Sequence, residues 1–197
     1  TAVSIGSEIM HMITVMIVGL SMGATVCIAQ AVGAKDKEKL RYCIGNTVTV
    51  FFIVSLILTG LLLFFTDFIV GVVKTPAEAV AGTKEYLTIC FIGIPLITAY
   101  NIVSSILRGM GDSKSPMYFI AIACVANIIL DYVFIGYFKL GAVGAALGTT
   151  LSQGISVICA LTYINRNNSS DSSSFAYLKL KGNIAKRLLR IGIPICV

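Results

Sequence analysis

Asp131 stands inside a long apolar stretch, with Asn127 one helical turn before it on the same face. An ionisable side chain in a segment long enough to cross a bilayer is costly, which makes it a candidate for function. If the chain turns back near Gly141, Asp131 lies about ten residues before the turn and Thr149 about eight after it. At 1.5 Å of rise per residue, the two side chains of such a helical hairpin differ in depth by only about 3 Å. A carboxylate beside an amide and a hydroxyl is an all-oxygen set suited to a proton or a sodium ion. The same residue types also allow Asp131 to snorkel to the outer interface while Asn127 bonds a neighbouring helix. The residues alone leave both readings open.

Other reactive residue types are sparse. Glu8 and His11 share a face near the outer end of the first apolar stretch, and Asp67 flanks the end of the second. The six cysteines (Cys27, Cys43, Cys90, Cys124, Cys159 and Cys196) are scattered, without a C-x-x-C pair, and are expected as small packing residues. One histidine in the whole chain leaves little from which to build a nucleophile–base pair or a metal centre, which argues against an intramembrane enzyme. The segment from Arg108 to Pro116 superficially resembles a phosphate loop. It lacks the G-x-x-x-x-G-K-[ST] spacing and joins two apolar segments, so a tight turn is expected there.

The elements that must hold Asp131 and its neighbours are membrane helices. Hydrophobic residues make up 57% of the chain and charged ones 12%, against roughly half and a quarter in soluble domains. Five stretches reach the roughly 20 residues that cross a hydrocarbon core: 9–31, 44–66, 86–107, 117–137 and 142–164. They are rich in Val, Ile and Phe, but in lipid the backbone must satisfy its own hydrogen bonds, so an all-α polytopic bundle follows. Gly19 and Gly23 offer a small-x-x-x-small packing face, and Pro95 should kink the third span.

Positive charge fixes the orientation. Lys35, Lys37, Lys39 and Arg41, then Arg108 and Lys114, then Arg166 to Arg190 lie in alternate connections, so segments 32–43, 108–116 and 165–190 are expected in the cytoplasm. Lys74, Lys84 and Lys139 fall on the other side. The net charge of +6 thereby reads as a topology signal and not as a nucleic-acid footprint. With no signal-peptide n-region ahead of the first span, a multi-pass plasma (inner) membrane protein is expected. Residues 1–165 form the spans, 166–190 a cytoplasmic linker with an amphipathic segment, and 191–197 the beginning of another helix. The sequon at Asn167 would face the cytoplasm and stay unused.

Several segments together resemble one known family. Gly19-Leu20-Ser21-Met22-Gly23-Ala24-Thr25, running into Ala29-Gln30-Ala31-Val32-Gly33-Ala34, is similar to the end of the second helix of multidrug and toxic compound extrusion (MATE) transporters. The run Leu107-Arg108-Gly109-Met110-Gly111-Asp112-Ser113-Lys114-Ser115-Pro116-Met117 resembles that family's turn between helices four and five. Asn127-Ile128-Ile129-Leu130-Asp131-Tyr132 and Leu140-Gly141-Ala142-Val143-Gly144-Ala145-Ala146-Leu147-Gly148-Thr149 look like its fifth and sixth helices.

The resemblance implies the N-terminal lobe of a two-lobe, six-plus-six-helix transporter whose cavity opens alternately to each side. It implies export of cationic, often aromatic, small molecules in exchange for H⁺ or Na⁺, with no other cofactor. Asn127, Asp131 and Thr149 fall on positions of the family's N-lobe cation site. The family's first helix, with its acid and proline, and its C-lobe are not matched by these residues. Within the superfamily, a lipid-linked oligosaccharide flippase is the neighbouring reading, though it needs a strongly basic cavity. A purely structural membrane subunit is the plainer alternative.

Overall fold

The computed structural model describes residues 2–72 and 80–167. The expected linker beyond residue 167, the following helix start, Lys74 and Cys196 lie outside the described residues. Helix α1 runs Ala2–Gly33, α2 Lys37–Phe64, α3 Thr66–Val72, α4 Val80–Gly109, α5 Lys114–Asp131 and α6 Gly141–Asn167. A π-helical segment, Tyr132–Tyr137, continues α5. Among the described residues, five helices are long and apolar enough to cross a membrane, as the hydropathy pattern predicts. All five begin ahead of the expected limits, while the second ends at Phe64, two residues before its expected end. The second starts at Lys37, not residue 44, so Lys37, Lys39 and Arg41 occupy its first turns and the connection itself shrinks to a few residues.

Two turns share one construction. At the end of α1, Asp36 N donates to Ala31 O and Lys35 N to Val32 O, with Lys35 left-handed at φ 54°. At the end of α4, Asp112 N donates to Leu107 O and Gly111 N to Arg108 O, with Gly111 at φ 96°. Both are Schellman endings, which satisfy carbonyls that a helix terminus leaves open. In both, the aspartate after the left-handed residue then caps the next helix: Asp36 accepts from Lys39 N, and Asp112 from Lys114 N and Ser115 N. The 108–116 segment is therefore a tight turn, as its sequence suggests.

Asp112 also accepts from the Ser115 and Tyr163 hydroxyls, at 2.6 and 3.1 Å, tying the α4–α5 turn to the end of α6. The Ser115 hydroxyl and amide hold its carboxyl below the ordinary aspartate range. A depressed folded-state value means the contribution is complete above the unfolded value of about 3.9 and is lost as pH falls through the folded one. Asp112→Ala should therefore lower stability by about 1 kcal/mol at pH 7. In thermal melts of detergent-purified protein, the gap between variant and wild type should close below pH 4.

Helix α4 is the central post. In its most apolar stretch 67% of residues are buried in the bundle, against 11% for α5, which therefore faces outward. One side of α4 packs on α1 and α2, where Ala24, Cys27, Ile28, Ile44, Phe51 and Ile106 form a core near the basic end. Its other side packs on α5 and α6 through Tyr100, Val103, Phe119, Val157 and Ala160. Lipid tails are as apolar as these side chains, so close contact rather than burial from water drives the association. Glycines permit that closeness: a Cβ on Gly93 would come within 2.9 Å of Thr150, and one on Gly109 within 2.7 Å of Ile28. Helix α4 continues on both sides of Pro95 without interruption.

The basic connections gather at one end of the bundle, because Gly109 meets Ile28 and Tyr163 meets Asp112. At the opposite end the exposed pair Lys84–Asp67 (2.6 Å) links α4 to α3, giving Asp67 the flanking role expected of it. Aromatic side chains also concentrate there. Phe64, Phe65 and Phe68 stack edge-on around the α2–α3 junction, and exposed Tyr132, Tyr137 and Phe138 cluster at the end of α5.

Candidate functional site

A cleft of about 450 Å³ opens between α1, α4, α5 and α6, with Asn127 and Thr149 on its wall. A second cavity of about 300 Å³ continues it toward the outer end, past His11, Tyr86 and Cys90. Thr14, Ile97, Thr149 and Gln153 border both, so Thr149 and Gln153 mark the junction of one elongated polar groove. Of the outer pair singled out from sequence, His11 lines the groove; Glu8 is exposed beside it.

Asp131 sits at the groove's margin, in the seam between α5 and α6. Its Oδ1 rests against Gly148, where any Cβ would occupy the oxygen's place. The observed contact thus falls one residue before Thr149, the position that the hairpin count from sequence paired with Asp131. The π-helical segment after Asp131 explains the offset, since a wider turn climbs less per residue than the α-helix assumed in the count.

Asp131 Oδ1 and Asn127 Nδ2 are both buried and have no hydrogen-bond partner among the described residues. A buried polar group without a partner costs more than one that was never buried, and such exceptions call for a reason. Thr149 donates its hydroxyl proton to Ala145 O, at 3.0 Å, which leaves its oxygen lone pairs directed elsewhere. The three predicted residues therefore occupy one neighbourhood, with Asn127 and Thr149 in the groove and Asp131 beside it. Among the described residues there is no cluster of three or more His, Cys, Asp or Glu side chains of the kind a transition metal needs.

The groove also holds polar residues that the sequence did not single out. Asn101 on α4 donates to Ile97 O, and Ser156 on α6 reaches Phe119 O across to α5. Arg108 marks the cytoplasmic end, its guanidinium held by Ser104 Oγ at 2.6 Å. These residues lie on faces whose apolar neighbours give no stripe to distinguish inside from outside.

The chain is similar to known proteins in sequence and in fold. The MatE family model matches residues 1–133. The chain is 32% identical over 184 residues to "Probable multidrug resistance protein YoeA" of Bacillus subtilis (strain 168), covering 90% of this chain and 40% of that one. It is 29% identical to "Probable multidrug resistance protein NorM" of Thermotoga maritima, covering 100% of this chain and 43% of the other. Among solved structures, a multidrug resistance MATE transporter in its inward-facing conformation matches with a TM-score of 0.88, and an outward-facing one with 0.89. Each is 26% identical, and each match covers 99% of this chain and 44% of the other. The chain thus spans less than half the length of the relatives it matches. Family model, relatives and fold agree that this multi-pass membrane chain belongs to the MATE family, a family of transporters and not of enzymes.

Proposed function

We propose that the chain forms the N-terminal lobe of an antiporter that exports cationic organic compounds in exchange for H⁺ or Na⁺. Asp131 carries the ion, and Asn127 and Thr149 supply neutral oxygens around it. The observation that carries this reading is the pair of buried, unpartnered atoms, Asp131 Oδ1 and Asn127 Nδ2, beside a polar groove within membrane helices. A carboxylate withdrawn from water is stabilised by whichever cation reaches it. A coupling ion and a cationic substrate cannot both neutralise one charge, and that competition is the basis of exchange. The ion shifts the transporter between states only by its difference in affinity for them.

The lobe fits inward-facing and outward-facing relatives equally well, at TM-scores of 0.88 and 0.89. This supports alternating access by movement of one lobe against another, with little rearrangement inside this one. The flippase reading draws less support, because Arg108 is the one basic side chain among the cleft's described lining and it is held by Ser104.

The test is uptake of a fluorescent cationic dye into everted vesicles containing the full-length parent. An outward-directed H⁺ or Na⁺ gradient, with the ion concentrated inside the vesicles, should drive dye accumulation, and the effective gradient names the ion. No accumulation under either gradient, with protein present in the membrane, overturns the proposal. Gly148→Ala gives a sharper version. Its Cβ would displace the Asp131 carboxyl, the end of a short side chain that can swing away while the helices stay in place. Dye accumulation should fall about tenfold at unchanged expression and melting temperature, a loss of about 1.4 kcal/mol.

A further inference from the structure

We propose that Cys27 and Cys43 form a reversible dithiol–disulfide site that fastens α1 to α2 near the cytoplasmic face. Their sulfur atoms lie 2.9 Å apart across the two helices, inside van der Waals contact. Both side chains are buried, at 3% and 1% exposure, so the pairing is not the chance meeting of two surface groups. The antiparallel register explains it. Cys27 precedes the end of α1 at Gly33 by the same number of residues as Cys43 follows the start of α2 at Lys37, so the short turn between the helices sets them at one depth. Closing the bond to its usual 2.05 Å needs a movement of about 1 Å, within reach of small side-chain and helix adjustments.

The chemistry needs a two-electron oxidant, and the surroundings select its class. Ala24, Ile28, Ala31 and Ile44 wall the pair, which excludes charged or bulky reagents and favours a small uncharged peroxide. One sulfur attacks the peroxide oxygen, giving a sulfenic acid and releasing water. The second sulfur then attacks the first, forming the S–S bond as a second water leaves. Two electrons pass from the sulfur pair to the peroxide, and both thiol protons leave in water. The product encloses residues 28–42, making one covalent ring of the basic turn and the helix ends that flank it. Of the remaining described cysteines, Cys90 is buried, Cys159 half-buried and Cys124 exposed. The inference is independent of the transport reading.

Membranes containing the full-length parent would be treated with hydrogen peroxide and then denatured in excess N-ethylmaleimide, so that buried free thiols are blocked as well. After reduction they would be labelled with a polyethylene glycol maleimide. The expected result is a gel shift of two equivalents in wild type and its loss in both Cys27→Ser and Cys43→Ser. Mass spectrometry of unreduced wild-type digests should show the Cys27 and Cys43 peptides joined, a readout that needs no variant to fold. Exposed Cys124 reports delivery of the oxidant. Oxidised Cys124 without the joined peptide, or an undiminished two-equivalent shift in the serine variants, overturns the proposal.

Discussion

Asp131→Asn should abolish gradient-driven dye accumulation in vesicles of the full-length parent, a fall of tenfold or more, while leaving the protein as stable as wild type or more so. Asparagine keeps the shape of the side chain but cannot carry a negative charge, so the coupling ion loses its counter-charge. Stability should move the other way because Asp131 Oδ1 is buried without a partner, and an uncharged group in that place is cheaper to bury. Opposite signs for activity and stability are the signature of a group kept for function. Undiminished coupled transport would remove Asp131 from the ion path. Parallel losses of transport and melting temperature would make it a structural residue instead.

Gly109→Ala should be among the most damaging single-methyl additions in the chain. The new Cβ would lie 2.7 Å from Ile28 Cβ and 3.1 Å from the Thr25 carbonyl oxygen. Neither is the free end of a flexible side chain, so α1 and α4 must separate at this point. Overpacking of this kind costs about 1–3 kcal/mol, and Gly109→Val should reach the top of that range or beyond. Gly60→Ala is the matched control. Nothing lies within 4 Å of its added methyl on α2, so the gain in helix propensity should raise stability by up to about 1 kcal/mol. Thermal melts in detergent should rank Gly60→Ala above wild type and Gly109→Val last. Equal melting temperatures for all of them would refute the close α1–α4 approach.

The spans, the shared side of the basic turns and the Asp131–Thr149 hairpin could be read from sequence because each depends on position along the chain alone. Hydropathy gives the depth of a residue, and rise per residue carries that depth across a turn. What could not be read is which way a side chain faces. Asn101, Ser156 and Gln153 are groove or interface residues, yet their helices are apolar all round, with no polar stripe to set the rotation. The offset from Thr149 to Gly148 has a related cause, since nothing in Tyr132–Tyr137 announces a π-helical segment. The contact of Cys27 with Cys43 lay within reach of the same counting that found the hairpin. Scattered cysteines gave no reason to apply it.

The aromatic cluster at the end of α5 determines how deep Asp131 lies. Tyrosine rings, amphipathic through their hydroxyl, settle at the boundary between headgroups and acyl chains. Tyr137 and Phe138 follow Asp131 by six and seven residues of mostly π-helical chain, which climbs less than the roughly 10 Å an α-helix of that length would. That spacing puts the carboxylate in the outer third of a hydrocarbon layer about 30 Å thick. Phe64, Phe65 and Phe68 stack at the same end of the bundle on the α2 side. In a thinner bilayer such a bundle keeps its tyrosines at the surface and absorbs the mismatch by tilt and local deformation of the lipid. Lipid chain length thereby becomes a variable in how far water and headgroups stand from the charge.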